Sequence, residues 1–70
     1  MKNNSLLSKR EALVITCLSK GMKNIEISKI MGIQERTVGT FIRRVRDKVG
    51  IDSSKNIYTL VTHCIKNKYI

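Results

Sequence analysis

Three glycines set the first constraint on what this chain can fold into. Gly21, Gly32 and Gly50 each follow a stretch whose apolar residues recur at helical spacing, the place where a helix uses a left-handed residue to stop. No proline occurs in the 70 residues, and β-branched residues nowhere alternate with polar ones over a strand length. The pattern therefore predicts an all-α chain, a compact four-helix arrangement. Seventy residues make one domain. Residues 1–6 are polar, lack periodicity and read as a flexible segment ahead of a single domain over 7–70.

The helix starts are written as clearly as the stops. Ser8-Lys9-Arg10-Glu11 is a capping box, in which the serine oxygen accepts the amide three residues on and the glutamate reaches back. Leu7 can close a hydrophobic staple with Ala12 or Leu13, and Leu13, Val14, Cys17 and Leu18 share one face of a helix over about 9–20. Asn24 can cap a short second helix, about 25–31, with Glu26 in its first turn and Ile27, Ile30 and Met31 inward. After the tight link Gly32-Ile33-Gln34 comes a third helix, about 35–49. Val38, Phe41, Ile42, Val45 and Val49 form its apolar stripe, with Arg36, Thr40, Arg43 and Asp47 opposite and Gly39 and Arg44 on the flanks. Asp52-Ser53-Ser54 offers a cap for a fourth helix, about 54–67, that turns Ile57, Leu60, Val61 and Cys64 to the core. A second row, Tyr58, Thr62, Ile65 and Tyr69, makes its apolar face wider than one small domain needs.

Charge narrows the partner. Fourteen Lys+Arg against five Asp+Glu give +9, an excess that favours a polyanion, nucleic acid ahead of an anionic membrane. No apolar run approaches the ~20 residues of a membrane span. Residues 1–7 hold too few apolar side chains for a signal peptide, so a cytoplasmic location is expected. Cys17 and Cys64 read as reduced core thiols, and with one histidine, His63, they make no zinc set. No nucleophile–base pair or phosphate-cradling loop appears, and Glu26 has no second acid beside it. The expectation is a non-enzyme with no cofactor and no metal.

Two helices joined by a short glycine-containing turn, the second basic on its outer face, describe a helix-turn-helix. Helix 3 carries Arg36, Arg43, Arg44, Arg46 and Lys48 against Glu35 and Asp47. Arg43 lies mid-face, and its planar fork can engage guanine O6 and N7 together; Thr40, one turn earlier, can meet a thymine methyl or a phosphate. These two are the candidate base readers. Lys9, Lys23, Asn24, Arg36, Thr37, Arg44 and Lys48 are the phosphate candidates, several of them near helix starts where amides also favour anions. Lys20, Lys29, Lys55, Lys66 and Lys68 are assigned to solvent. Tyr58, Thr62, Ile65 and Tyr69 form a candidate seam for a homodimer on DNA.

The landmarks Leu7-Ser8-Lys9-Arg10-Glu11, Gly21-Met22-Lys23-Asn24-Ile25-Glu26-Ile27, Thr37-Val38 and Lys48-Val49-Gly50-Ile51 resemble, in order and spacing, the LuxR/FixJ/GerE-type DNA-binding domain over about residues 7–65. The resemblance implies a four-helix domain whose helices 2 and 3 form the helix-turn-helix. Helix 3 would enter the major groove, and helix 4 would make the dimer contact. It also implies short, often inverted-repeat sites near bacterial promoters, and for Glu26 a structural role toward a basic residue or backbone amides. Three positions depart from the family's pattern: Gly39 where a basic residue is usual, Phe41 where histidine is frequent, and Gln34 where serine usually caps helix 3. Gly39 removes a side chain able to read a base and costs the helix about 1 kcal/mol relative to alanine, yet it lets DNA approach the backbone closely. The function expected is sequence-specific binding of double-stranded DNA as a transcription regulator or its output domain, with a larger family member and RNA polymerase as further partners. The competing expectation is an interaction protein that pairs with a larger relative through helix 4 and blocks its DNA binding.

Overall fold

The computed structural model describes residues 6–70, so the flexible segment expected over 1–6 falls outside the described residues except for Leu6. Four helices follow in order: α1 Lys9–Ser19, α2 Asn24–Met31, α3 Glu35–Val49 and α4 Ile57–Lys66. The all-α expectation holds. α1 and α3 pack on each other at the centre, with α2 against both and α4 against α1.

The boundaries have local chemical causes. Ser8 Oγ accepts the Glu11 amide at 3.1 Å and Glu11 Oε1 accepts the Ser8 amide at 2.9 Å, completing the capping box. Leu7 and Ala12 are buried in one cluster, so Ala12 closes the staple and Leu13 does not. The stops at Gly21, Gly32 and Gly50 take left-handed φ of 83°, 68° and 78°. Each folds a following amide back on the helix: Met22 N–H on the Cys17 carbonyl at 3.2 Å, Ile33 N–H on Ser28 at 3.0 Å and Ile51 N–H on Arg46 at 3.1 Å. Helix α4 ends the same way without glycine. Lys68 takes φ 61°, and the Tyr69 amide bonds the Cys64 carbonyl at 2.9 Å.

Two starts differ from the sequence pattern. Lys23, not Asn24, stands in the cap position of α2. A lysine side chain has no acceptor, and only the backward half of a capping box forms, Glu26 Oε1 accepting the Lys23 amide at 2.8 Å. Helix α4 is capped by Asn56, whose Oδ1 accepts the Thr59 amide at 2.8 Å, so the helix begins at Ile57, three residues after the expected start. Asp52-Ser53-Ser54 forms a turn instead, closed by Lys55 N–H on the Asp52 carbonyl at 3.0 Å.

Two clusters make up the core. Leu7, Ala12, Ile15, Val45, Leu60, Val61 and Cys64 join α1, α3 and α4; Val14, Cys17, Ile27 and Val38 join α1, α2 and α3. Leu18 and Ile42 touch both clusters. Three residues expected inside lie outside, and for distinct reasons. Leu13 is 43% exposed because α1, wedged between three helices, buries Glu11, Ala12, Val14, Ile15 and Cys17 around most of its circumference. Leu13 is left in the narrow outer arc with Lys9 and Lys20. Ile30 is 63% exposed since the eight residues of α2 present only Ile27, Ser28 and Met31 to its neighbours. Ile57, in the first turn of α4, also stands partly in solvent.

Glu11 is the buried acid of this core, 3% exposed. Its Oε1 takes the Lys48 ammonium at 2.7 Å from the last turn of α3. Burial alone would raise its pKa, but the bonds from Lys48 and from the Ser8 amide outweigh that and hold the carboxyl below its ordinary value. A carboxylate depressed on folding stabilises the protein above its unfolded pKa, and that contribution is lost as pH falls through the folded value. Stability should therefore decline on acidification below about pH 4.5, the ordinary value. Glu11→Gln keeps an acceptor for Ser8 but loses the ion pair. It should be less stable at pH 7 by about 1–3 kcal/mol, with a shallower acid limb. Thermal melts of both proteins from pH 7 to pH 3 check this, and parallel acid limbs would refute the assignment.

Candidate nucleic-acid interface

The helix-turn-helix consists of α2, the Gly32-Ile33-Gln34 link and α3. Val38 and Val45 are fully buried and set the rotation of α3 about its axis. Arg36, Thr40, Arg43 and Asp47 then fall on the outer stripe, with the two arginines and Asp47 exposed. Gln34 occupies the cap position of α3 without capping it; its Oε1 accepts Arg36 Nε at 2.9 Å and so steadies the guanidinium at the helix start. The Thr40 hydroxyl donates to the Arg36 carbonyl at 3.2 Å. The Arg43 side chain makes no hydrogen bond or ion pair among the described residues and extends from mid-face. Beside this stripe, Asn24, Gln34, Glu35, Arg36 and Gly39 line an open concavity between the starts of α2 and α3.

The other cations of α3 are engaged within the protein. Lys48 is held on Glu11, its charge matched. Arg46 donates to the Asp52 carbonyl at 3.0 Å and to the Lys55 carbonyl at 2.9 Å, strapping the α3–α4 turn to α3. Asp52 is held below the usual carboxylate range by a hydrogen bond from Ser54, by the Ser53 and Ser54 amides and by the nearby Arg46 charge. Arg44 sits with its guanidinium carbon 5.8 Å from the centre of the Phe41 ring, a cation–π contact on the flank. Phe41 itself packs against the α1–α2–α3 cluster. The structural work of Arg46 and Lys48 was hidden in the sequence, because their partners lie on backbone carbonyls and on an acid 37 residues away.

Among the phosphate candidates, Lys9 and Lys23 are exposed at the starts of α1 and α2, and Asn24 and Thr37 are half-buried at the starts of α2 and α3. Glu26 serves the α2 start through the Lys23 amide. On α4, Tyr58 is 75% exposed, Ile65 53% exposed and Thr62 exposed. Tyr58, Thr59, Thr62 and His63 line a shallow groove there. Tyr69 leaves the row. The helix ends at Lys66, the left-handed Lys68 redirects the chain, and Tyr69 packs half-buried on its own core with its ring 6.1 Å from His63.

A helix-turn-helix of this geometry, in this order of helices, agrees with the comparison to known families. Residues 5–61 match the family model of the bacterial regulatory proteins of the luxR family. The chain belongs to that family. It is 29% identical over 59 residues to the transcriptional regulatory protein YdfI of Bacillus subtilis (strain 168), an alignment covering 84% of this chain and 28% of that protein. The chain thus corresponds to about a quarter of the relative's length. No solved structure matches it. As a luxR-family member it carries that family's helix-turn-helix DNA-binding domain. Among the described residues, no group of three or more His, Cys, Asp or Glu is placed to hold a metal ion. No helix among them is long and apolar enough to cross a membrane.

The division between free and engaged arginines predicts a division in phenotype. Arg46→Ala removes two bonds to backbone carbonyls and should destabilise the domain by about 1–2 kcal/mol, while Arg43→Ala should stay within about 0.5 kcal/mol of wild type. Urea denaturation of both variants checks the contrast; equal losses would contradict it.

Proposed function

We propose that this domain regulates transcription in the bacterial cytoplasm by reading specific duplex DNA with α3 in the major groove. The observation that carries the proposal is the outer stripe of α3, where Arg36 and Arg43 remain available while Arg46 and Lys48 are consumed by the fold. Arg43 is the principal base reader, engaging a guanine through O6 and N7, with Thr40 beside it. Arg36 and Thr37 at the α3 start, Lys9 at the α1 start and Lys23 and Asn24 at the α2 start meet phosphates on either side of the groove. Arg44 serves the flank from its place on Phe41. Lys48, its charge matched by Glu11, would meet a phosphate only by exchanging that partner.

On DNA the domain acts as a homodimer through α4. The exposed row Tyr58, Thr62 and Ile65 supports this seam, since large apolar side chains on the outer face of a short helix gain by burial against a second copy. Tyr69 contributes from the margin, packed on its own core. A two-fold pair of domains doubles the footprint and matches an inverted-repeat site, and a larger relative or RNA polymerase can be engaged from the remaining surface.

Selection of binders from a random duplex pool across a salt series tests the reading. Wild type should enrich one motif, with affinity falling steeply with salt; Arg43→Ala should relax one guanine position at a cost of about 1–3 kcal/mol. Binding without enrichment would refute the assignment and favour the alternative, pairing with a larger relative. The seam has its own test. Ile65→Glu should weaken binding to a two-half-site probe by roughly tenfold or more while sparing a single half-site, because only the former needs the second copy. Equal losses on both probes would rule out the α4 seam.

A further inference from the structure

Gly39 is the one glycine of the chain that stops nothing. It lies in the interior of α3, and it is absent from the residues with left-handed φ, so its backbone conformation is open to any residue. Packing does not call for it either: a Cβ built there meets no atom within 4 Å. An interior glycine weakens a helix relative to alanine, and here neither backbone geometry nor crowding inside the protein accounts for the loss. The remaining physical reason for a bare backbone is close approach by something outside the protein.

The position of Gly39 says where that approach comes from. It is four residues before Arg43 and three after Arg36, half-buried on the flank of α3 beside the outer stripe, at the wall of the concavity it shares with Asn24, Gln34, Glu35 and Arg36. Within an α-helix the amide and carbonyl of an interior residue are spent on the helix ladder, so what Gly39 presents outward is its apolar Cα methylene. The major-groove edges of the four base pairs offer hydrogen-bond donors, acceptors and a single kind of apolar group, the C5-methyl of thymine. We infer that Gly39 is a specificity-determining position, at which the bare α3 backbone receives a thymine methyl next to the base read by Arg43. This rests on the reading of α3 as the major-groove helix. It adds to that reading a selected base at a position with no side chain to read it.

The test uses the full chain and the duplex motif that wild type enriches. Gly39→Ala and Gly39→Gln both restore a better helix former, so both should melt a few degrees above wild type, which separates binding loss from misfolding. Against the wild-type motif, affinity should fall in order of side-chain size, several-fold for alanine and more for glutamine. Each thymine of the motif is then replaced singly by deoxyuridine, which removes only the methyl. At one thymine, wild type should lose about fourfold, the worth of burying one methyl-sized group, and the glutamine variant should lose nothing. Unchanged affinity and motif in the variants, or a uracil scan identical for wild type and Gly39→Gln, would overturn the inference while leaving the DNA-binding reading intact. Failure of wild type itself to enrich any motif would overturn both.

Discussion

A carboxylate taken out of water must be matched in place, and in this domain that requirement falls on Glu11. Its one oxygen Oε1 accepts the Ser8 amide and the Lys48 ammonium, so the same atom that completes the α1 cap also holds the far end of α3. An apolar contact between the two helices would tolerate a degree of rotation or slip. An ion pair to a buried carboxylate resists this, because moving the solvent-edge Lys48 away leaves the Glu11 charge without its counter-ion. Together with Val38 and Val45 it fixes which side of α3 faces the solvent, and from that follows the presentation of Arg36, Thr40 and Arg43.

A second constraint acts at the other end of the same turn. Arg46 both closes α3, its carbonyl accepting the amides of Gly50 and Ile51, and straps the following turn through its guanidinium. The start of α4 is thereby tied to the helix proposed to enter the groove. In the proposed dimer built on α4, this strap would link the seam to α3. Basic residues of α3 thus divide into those that build the platform and those that stand on it, a distinction that net charge conceals.

Most of the fold was legible in the sequence because its signals are local. The capping box at Ser8 and Glu11 and the glycine stops at 21, 32 and 50 need only a few neighbouring residues to operate, and the structure uses each of them. What was misread depended on how many neighbours a helix has. Periodicity assigns α1 a single apolar face and so places Leu13 inside, whereas a helix packed on three others buries a far wider arc, including Ala12 and Ile15. Ile30 was misplaced for the opposite reason, since α2 is short and covered on one side only. Capping residues compete: Asn56 outdid the Asp52–Ser54 cluster for α4, leaving that cluster to form a turn held by Arg46. The outer stripe of α3 was readable from spacing, but the commitments of Lys48 and Arg46 were not, because they depend on tertiary partners.

The two cysteines lie in different halves of the core, Cys17 among α1, α2 and α3 and Cys64 among α1, α3 and α4. Burial pushes the Cys64 thiol up, away from the thiolate that oxidants and alkylating reagents attack. Chemical modification at that site must wait for α4 to lift from its neighbours, so its rate counts openings of that half of the molecule. Cys17, under the helix-turn-helix, counts those of the other half. The chain therefore carries two internal clocks for local unfolding, one beneath the helices assigned to DNA and one beneath the helix assigned to a second copy.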